Sequence, residues 1–197
     1  MAGFIKKSTF RTNPDVVWRK KAMGNDQNDQ VYRTWNQDDL AYNEEEAWPA
    51  ALFPDSSYHL FSECGCLITS LAIMLRHYGI EKETDPTLFN PWILNQKLIR
   101  KGLFDSMANL HLYRIQEVYP LEYMDSIPFT WEDLRELCRE GHPFLITVPG
   151  LRAERHFIVP DHLTDTDMAI IDCAWGKKYL SEFDTIHELR TFRRLGE

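Results

Sequence analysis

The stretch Glu63-Cys64-Gly65-Cys66-Leu67-Ile68-Thr69-Ser70-Leu71-Ala72-Ile73-Met74-Leu75-Arg76-His77-Tyr78-Gly79 constrains the fold more than any other part of the chain. Apolar residues at 67, 68, 71, 72, 74, 75 and 78 cover more than half of a helical wheel. A helix apolar on most sides belongs inside a domain. Ser62 or Cys64 can hold its start, and Gly79 stops it. Cys66 then stands on the first turn, where unpaired N–H groups and the positive end of the helix dipole favour thiolate over thiol. Thiolate is the nucleophilic form, so Cys66 is the first candidate for chemistry. The plain alternative is a small core residue, because free cysteine is among the most buried types.

A chain of 197 residues suits one domain with an appended arm. The net charge of −8 argues against general nucleic-acid binding, which wants a basic face. The longest apolar runs fall well short of the roughly 20 residues of a membrane span. No apolar stretch follows Lys6-Lys7, so the N-terminus does not read as a secretory signal. Synthesis in the cytoplasm is expected, and work outside the cell then needs lysis, a virion or a secretion machine. Cysteines at 64, 66, 138 and 173 fit no zinc-ribbon or zinc-finger spacing. A Cys64–Cys66 disulfide would be badly strained, so all four read as reduced thiols. No cofactor and no metal are expected. A metal set of Cys64, Cys66, Cys173 and a histidine stays open, with nothing in the spacing to favour it.

Residues 1–30 form a basic N-terminal arm ahead of a domain at 31–197. Lys6, Lys7, Arg11, Arg19, Lys20 and Lys21 stand there against Asp15 as the one acid before a polar linker at 24–30. The arm is either solvated or a docking element for a protein partner or for the acidic body of the domain. Residues 31–36 alternate like a short strand. The acidic loop from Tyr42 to Phe61 carries enough aromatic residues to pack on the domain. A helix is expected from Thr84-Asp85-Pro86 to Gly102, with Pro91 as a break or kink, and another from Thr130 to Gly141. Three strands follow, at 143–148, 156–159 and 168–172. Helices first and antiparallel strands after give the α+β class: a helical part with a buried nucleophile helix, packed on a C-terminal antiparallel sheet.

Of the histidines, His77 lies three turns from Cys66 and cannot reach it, and His142 reads as a solvated turn residue. His156 opens a strand, and Asp172 ends the next one. If the two strands form a hairpin, Asp172 lies beside His156 and can orient its imidazole. Nucleophile Cys66, base His156 and orienter Asp172 then make one arrangement.

Several of these motifs together resemble the papain-like peptidases related to the bacteriocin-processing (double-glycine leader) peptidase domain. The resemblance rests on Gly65-Cys66-Leu67-Ile68-Thr69-Ser70-Leu71-Ala72 with Tyr78-Gly79, and on Asp85-Pro86 through Trp92 with Asn95 and Gly102. It continues in Gly141-His142-Pro143-Phe144-Leu145-Ile146, His156-Phe157-Ile158-Val159, Ile171-Asp172 and, upstream, Asn36-Gln37-Asp38-Asp39. It runs in order over roughly residues 35–180. It implies a papain-like fold in which Cys66, His156 and Asp172 form the triad and Gln37 lends an oxyanion-hole donor. Three departures stand out. Leu67-Ile68 replaces the stricter Gly-Pro, Cys173 stands where proline usually follows the aspartate, and the segment from 38 to 63 is long.

The implied activity is amide hydrolysis by a cysteine peptidase without a cofactor. The implied substrate is a peptide, a protein or a cell-wall peptide, because stand-alone relatives occur among phage-associated and secreted bacterial proteins. Two rivals stand beside it. One is a catalytically silent papain-like module that binds a partner or builds an assembly, for example in a phage virion or as an effector. The other is acyl transfer to an amine.

Overall fold

The computed structural model describes residues 27–39, 41, 42, 44–150 and 154–196. The basic arm up to residue 26, and with it the first three residues of the polar linker, lies outside the described residues. The class is α+β: helices with a five-stranded antiparallel sheet.

The central helix is α2 (Cys66–His77), after a single turn α1 (Phe61–Cys64) and before α3 (Pro91–Arg100) and α4 (Trp131–Glu140). The strands are β1 (Leu121–Pro128), β2 (Phe144–Pro149), β3 (Arg155–Leu163), β4 (Met168–Asp172) and β5 (Glu188–Arg194). They lie in the order β1-β5-β2-β3-β4, every neighbouring pair antiparallel.

The sheet is apolar on both faces. Leu145, Phe157, Val159 and Ile171 join the core around α2, while Phe144, Ile146, Val148, Ile158 and Ile170 join the core that holds Leu134 and Cys138 of α4. Successive residues therefore serve opposite layers, as the period of a strand demands. The helices are accordingly not segregated to one side: α4 enters the chain between β1 and β2 and covers the face opposite α2. Along α2, Leu71, Ala72, Ile73, Met74 and Leu75 are fully buried, and Gly79 follows in the left-handed region at φ +65°.

Four local expectations are corrected. Neither Ser62 nor Cys64 caps α2. The Glu63 carboxylate instead accepts the N–H groups of His59 and Leu60 to start α1, and Gly65 stands directly ahead of α2. Residues 31–36 are not a strand. A 3-10 helix runs over Gln27–Thr34, and Tyr32 and Trp35, three residues apart, turn to the same core. The third helix starts at Pro91, not at Thr84-Asp85-Pro86. Asn90 accepts the N–H of Ile93 at 2.9 Å, while Asp85 is spent on a local turn with Thr87. Pro91 is tolerated because it occupies the first helical position, where its missing N–H costs nothing. Finally, β1 and β5 widen the sheet from the three expected strands to five.

The segment from Gln27 is tied to the far end of α2. Arg33 makes two bonds to the Asp161 carboxylate, at 2.8 and 2.7 Å, and Tyr32 Oη lies 3.2 Å from His77 Nδ1. Burial pushes His77 down to about 4, against the opposing pull of Asp161. The unfolded chain takes up a proton on His77 below pH 6.5 and the folded protein does not until about pH 4. Stability in urea should therefore fall as pH drops through that window, by on the order of 3 kcal/mol. Glutamine at position 77 should flatten the slope. An equally steep slope in His77→Gln would show that other groups cause it.

Candidate active site

The first turn of α2 carries Cys66 to the start of β3. Its Sγ lies 3.9 Å from the carbonyl oxygen of Arg155, the residue before His156. The approach depends on Gly65. A Cβ there would sit 2.4 Å from both Cδ1 and the carbonyl oxygen of Phe61, which is fully buried. Glycine is thus demanded by space at this point.

His156 and Asp172 are joined at 2.8 Å, Nε2 to Oδ1, with both side chains almost wholly buried. The hairpin of β3 and β4 makes this possible. Asp172 pairs with Ile158, so His156, two residues away, is its diagonal neighbour on the same face. Burial works against the Asp172 charge. The bond from His156 and backbone N–H groups at Ala174 and Trp175 outweigh it and hold the carboxyl below its ordinary value. The N–H groups of Ala174, Trp175 and Lys177 reach its oxygens at 3.0, 3.3 and 3.3 Å. A carboxylate accepts from Nε2–H, which leaves Nδ1 as the basic nitrogen of the imidazole.

Cys66 departs from the expectation of a favoured thiolate. Burial pushes its thiol up to about 11, although backbone N–H groups act in the opposite direction. In the resting site it is a thiol that donates to Arg155, and no hydrogen bond joins it to His156.

Gln37 is tied to the residue after Asp172 and to the turn before α2. Its backbone N–H donates to the carbonyl of Cys173 at 3.0 Å, and its side-chain Nε2 donates to the carbonyl of Ser62 at 3.1 Å. The residue is buried, and its Oε1 has no hydrogen-bond partner. One of the two Nε2 protons serves Ser62, and the second is available.

The four residues singled out in the sequence, Cys66, His156, Asp172 and Gln37, thus come from four segments to one end of α2. His77 is at the opposite end, and His142 is half-buried beside Glu140. Residues 151–153 of the loop before β3 lie outside the described residues.

Trp175 carried no recognisable signal, and Ser70 and Cys173 stood out only as part of a motif and as a departure from one. Trp175 lies over His156, with ring centroids 4.3 Å apart and planes at 31°, and is itself backed by Phe183. Ser70 Oγ donates to the carbonyl of Phe157 at 2.6 Å. Cys173 is fully buried against the same helix.

No disulfide links the four cysteines. Among the described residues, His156, Asp172 and Cys173 offer a nitrogen, an oxygen and a sulfur within 4.8 Å of one another. This is not the cysteine-rich set left open from the spacing. A metal there would have to break the imidazole–carboxylate bond and deprotonate Cys173, whose thiol burial holds well above its ordinary value.

Comparison of the chain with family models, with curated proteins and with solved structures returns no match. No helix among the described residues is long and apolar enough to cross a membrane.

Gly65→Ala should lower stability by about 1–3 kcal/mol through overpacking against Phe61. Differential scanning calorimetry reads this directly, and an unchanged Tm would refute the steric role.

Proposed function

We propose that the protein is a cysteine peptidase of papain-like type that cuts amide bonds with Cys66, His156, Asp172 and Gln37. The observation that carries the reading is the buried His156–Asp172 pair at the start of β3, beside a thiol on the first turn of α2. A carboxylate that fixes Nε2–H makes Nδ1 the base, as the orienting member of a triad does. Substrate is a peptide, a protein or a cell-wall peptide.

In this mechanism the resting thiol gives its proton to His156 Nδ1 as its sulfur attacks the amide carbon. The carbonyl oxygen takes the negative charge and is held by the free N–H of Gln37 and the backbone N–H of Cys66. The C–N bond then breaks, and imidazolium returns the proton to the leaving nitrogen. Water, deprotonated by His156, attacks the resulting thioester, and Cys66 leaves with a proton. Trp175 covers one face of the imidazole and limits its rotation. The second reading, a silent module of the same fold, draws on the high affinity of Cys66 for its proton and on its bond to Arg155.

The rate of iodoacetamide modification at Cys66 against pH separates the two. The surroundings of Cys66, burial foremost, push its thiol up to about 11. A working pair makes it react at pH 7 far faster than that value allows, with an inflection that His156→Ala removes together with roughly tenfold or more of the rate. Asp172→Asn should slow it in the same sense, and Cys66→Ala should abolish peptide hydrolysis. A slow reaction indifferent to His156 would sink the hydrolase in favour of the silent module.

A further inference from the structure

Cys173 touches every segment that supplies the site. It follows Asp172 in the chain, and its carbonyl accepts the backbone N–H of Gln37 at 3.0 Å. Its Sγ lies 3.7 Å from the carbonyl oxygen of Cys66, 3.7 Å from that of Phe157, the residue after His156, and 3.5 Å from Ser70 Oγ. Backbone and side chain of Cys173 together thus reach all these segments.

Counting protons assigns the bonds. Two donors face two carbonyls: the hydroxyl of Ser70 and the thiol of Cys173 against the oxygens of Phe157 and Cys66. Ser70 takes Phe157 at 2.6 Å, far closer than the thiol's 3.7 Å. The thiol proton is left for Cys66. Burial keeps that thiol protonated, so it is a donor throughout the neutral range. Phe157 pairs with Thr147 in the ladder to β2, while pairing to β4 begins one residue later, at Ile158. On its β4 side, the carbonyl of Phe157 is met by Ser70 and Cys173.

We infer that Cys173 is a positioning residue. Its thiol bonds the backbone of Cys66 and, with Ser70, pins the first turns of α2 to β3, which sets where the nucleophilic sulfur stands relative to His156. The inference rests on the peptidase reading for its meaning, though not for its test. It also gives a reason for a cysteine where the resembled family has proline, a residue with no side-chain donor.

The test is the pH profile of iodoacetamide modification at Cys66, resolved from Cys64 by fragment-ion mass spectrometry. It compares the unmodified protein with Cys173→Ala, Cys173→Ser and Ser70→Ala, with Tm measured alongside. Cys173→Ala should change the rate at least fivefold or move the inflection by at least half a pH unit. Cys173→Ser keeps a donor and should return the profile to within about twofold, which a mere space-filling role does not predict. Ser70→Ala frees the Phe157 carbonyl to compete for the thiol proton and should shift the profile in the same direction as Cys173→Ala, by less. A profile in Cys173→Ala that overlays the unmodified protein would overturn the inference. So would equal effects of alanine and serine, or shifts that only track Tm. If Cys173→Ala does not fold, the serine and Ser70→Ala profiles decide by the same criteria. His156→Ala, run in parallel, judges the peptidase reading separately: indifference to His156 sinks that reading, whereas the Cys173 and Ser70 comparison still judges the pinning.

Discussion

Because α2 is apolar around nearly its whole circumference, it is stable only when enclosed, and the rest of the chain supplies the enclosure. One side rests on Leu145, Phe157, Val159 and Ile171 of the sheet. The other is closed by an aromatic wall from the long acidic segment and α3. Trp48 stacks on Phe61 at 5.9 Å with planes at 9°, Tyr42 meets Phe61 edge-on, and Asn95 donates to the carbonyl of Ala47 at 3.1 Å. Burying a helix completely also buries its termini, whose unpaired backbone groups need partners there. At the C-terminal end the chain turns through Gly79. At the N-terminal end it brings Cys66 into contact with β3. The candidate site is thus a consequence of how the core is closed.

The same enclosure decides the electrostatics. Raising the Cys66 thiol from 9.0 to about 11 corresponds to on the order of 3 kcal/mol against ionisation, whereas a helix terminus contributes roughly 0.3–1 kcal/mol in its favour. Desolvation wins, and the dipole argument made from the sequence fails in magnitude though its direction is sound. A buried neutral thiol beside a buried imidazole that has an orienting carboxylate is a resting state from which the proton moves only when an acceptor carbon arrives.

Elements with a strong period were legible: α2, α4 from its Thr130 start to Gly141, and the apolar runs of β2, β3 and β4. The weak ones were not. β1 alternates poorly because its pleat is interrupted between Tyr123 and Asp125, and β5 mixes arginines with its core residues Leu189 and Phe192. Residues 31–36 misled because alternation and a three-residue repeat coincide over so short a window. At the site, the positions of Cys66, His156 and Asp172 follow from a helix start and the two ends of a hairpin, which local patterns reveal. The bonds of Ser70 and Cys173, the cover by Trp175 and the Arg33–Asp161 pair join residues far apart in sequence. They leave no local pattern, so only the fold discloses them.

Parity along β3 explains how one strand serves both ends of α2 and the site. Ile158 faces the α4 layer, Phe157 and Val159 face α2, and His156, at the start of the strand, meets Asp172 and Trp175. A slip of one residue would exchange these roles and part the imidazole from Asp172. The register shifts between Pro160 and His162, leaving Asp161 as the unpaired residue of a bulge. Bulges bend a strand and re-aim a side chain, and here the re-aimed carboxylate meets Arg33 and lies 4.0 Å from His77. Along the strand, residues 155 to 161 would span about 20 Å if fully extended, against about 16 Å of helix rise from residue 66 to 77. The bend shortens the longer member toward the shorter one. Helix and strand then meet at Arg155, at Phe157 and at Asp161, whose carboxylate lies 4.0 Å from His77.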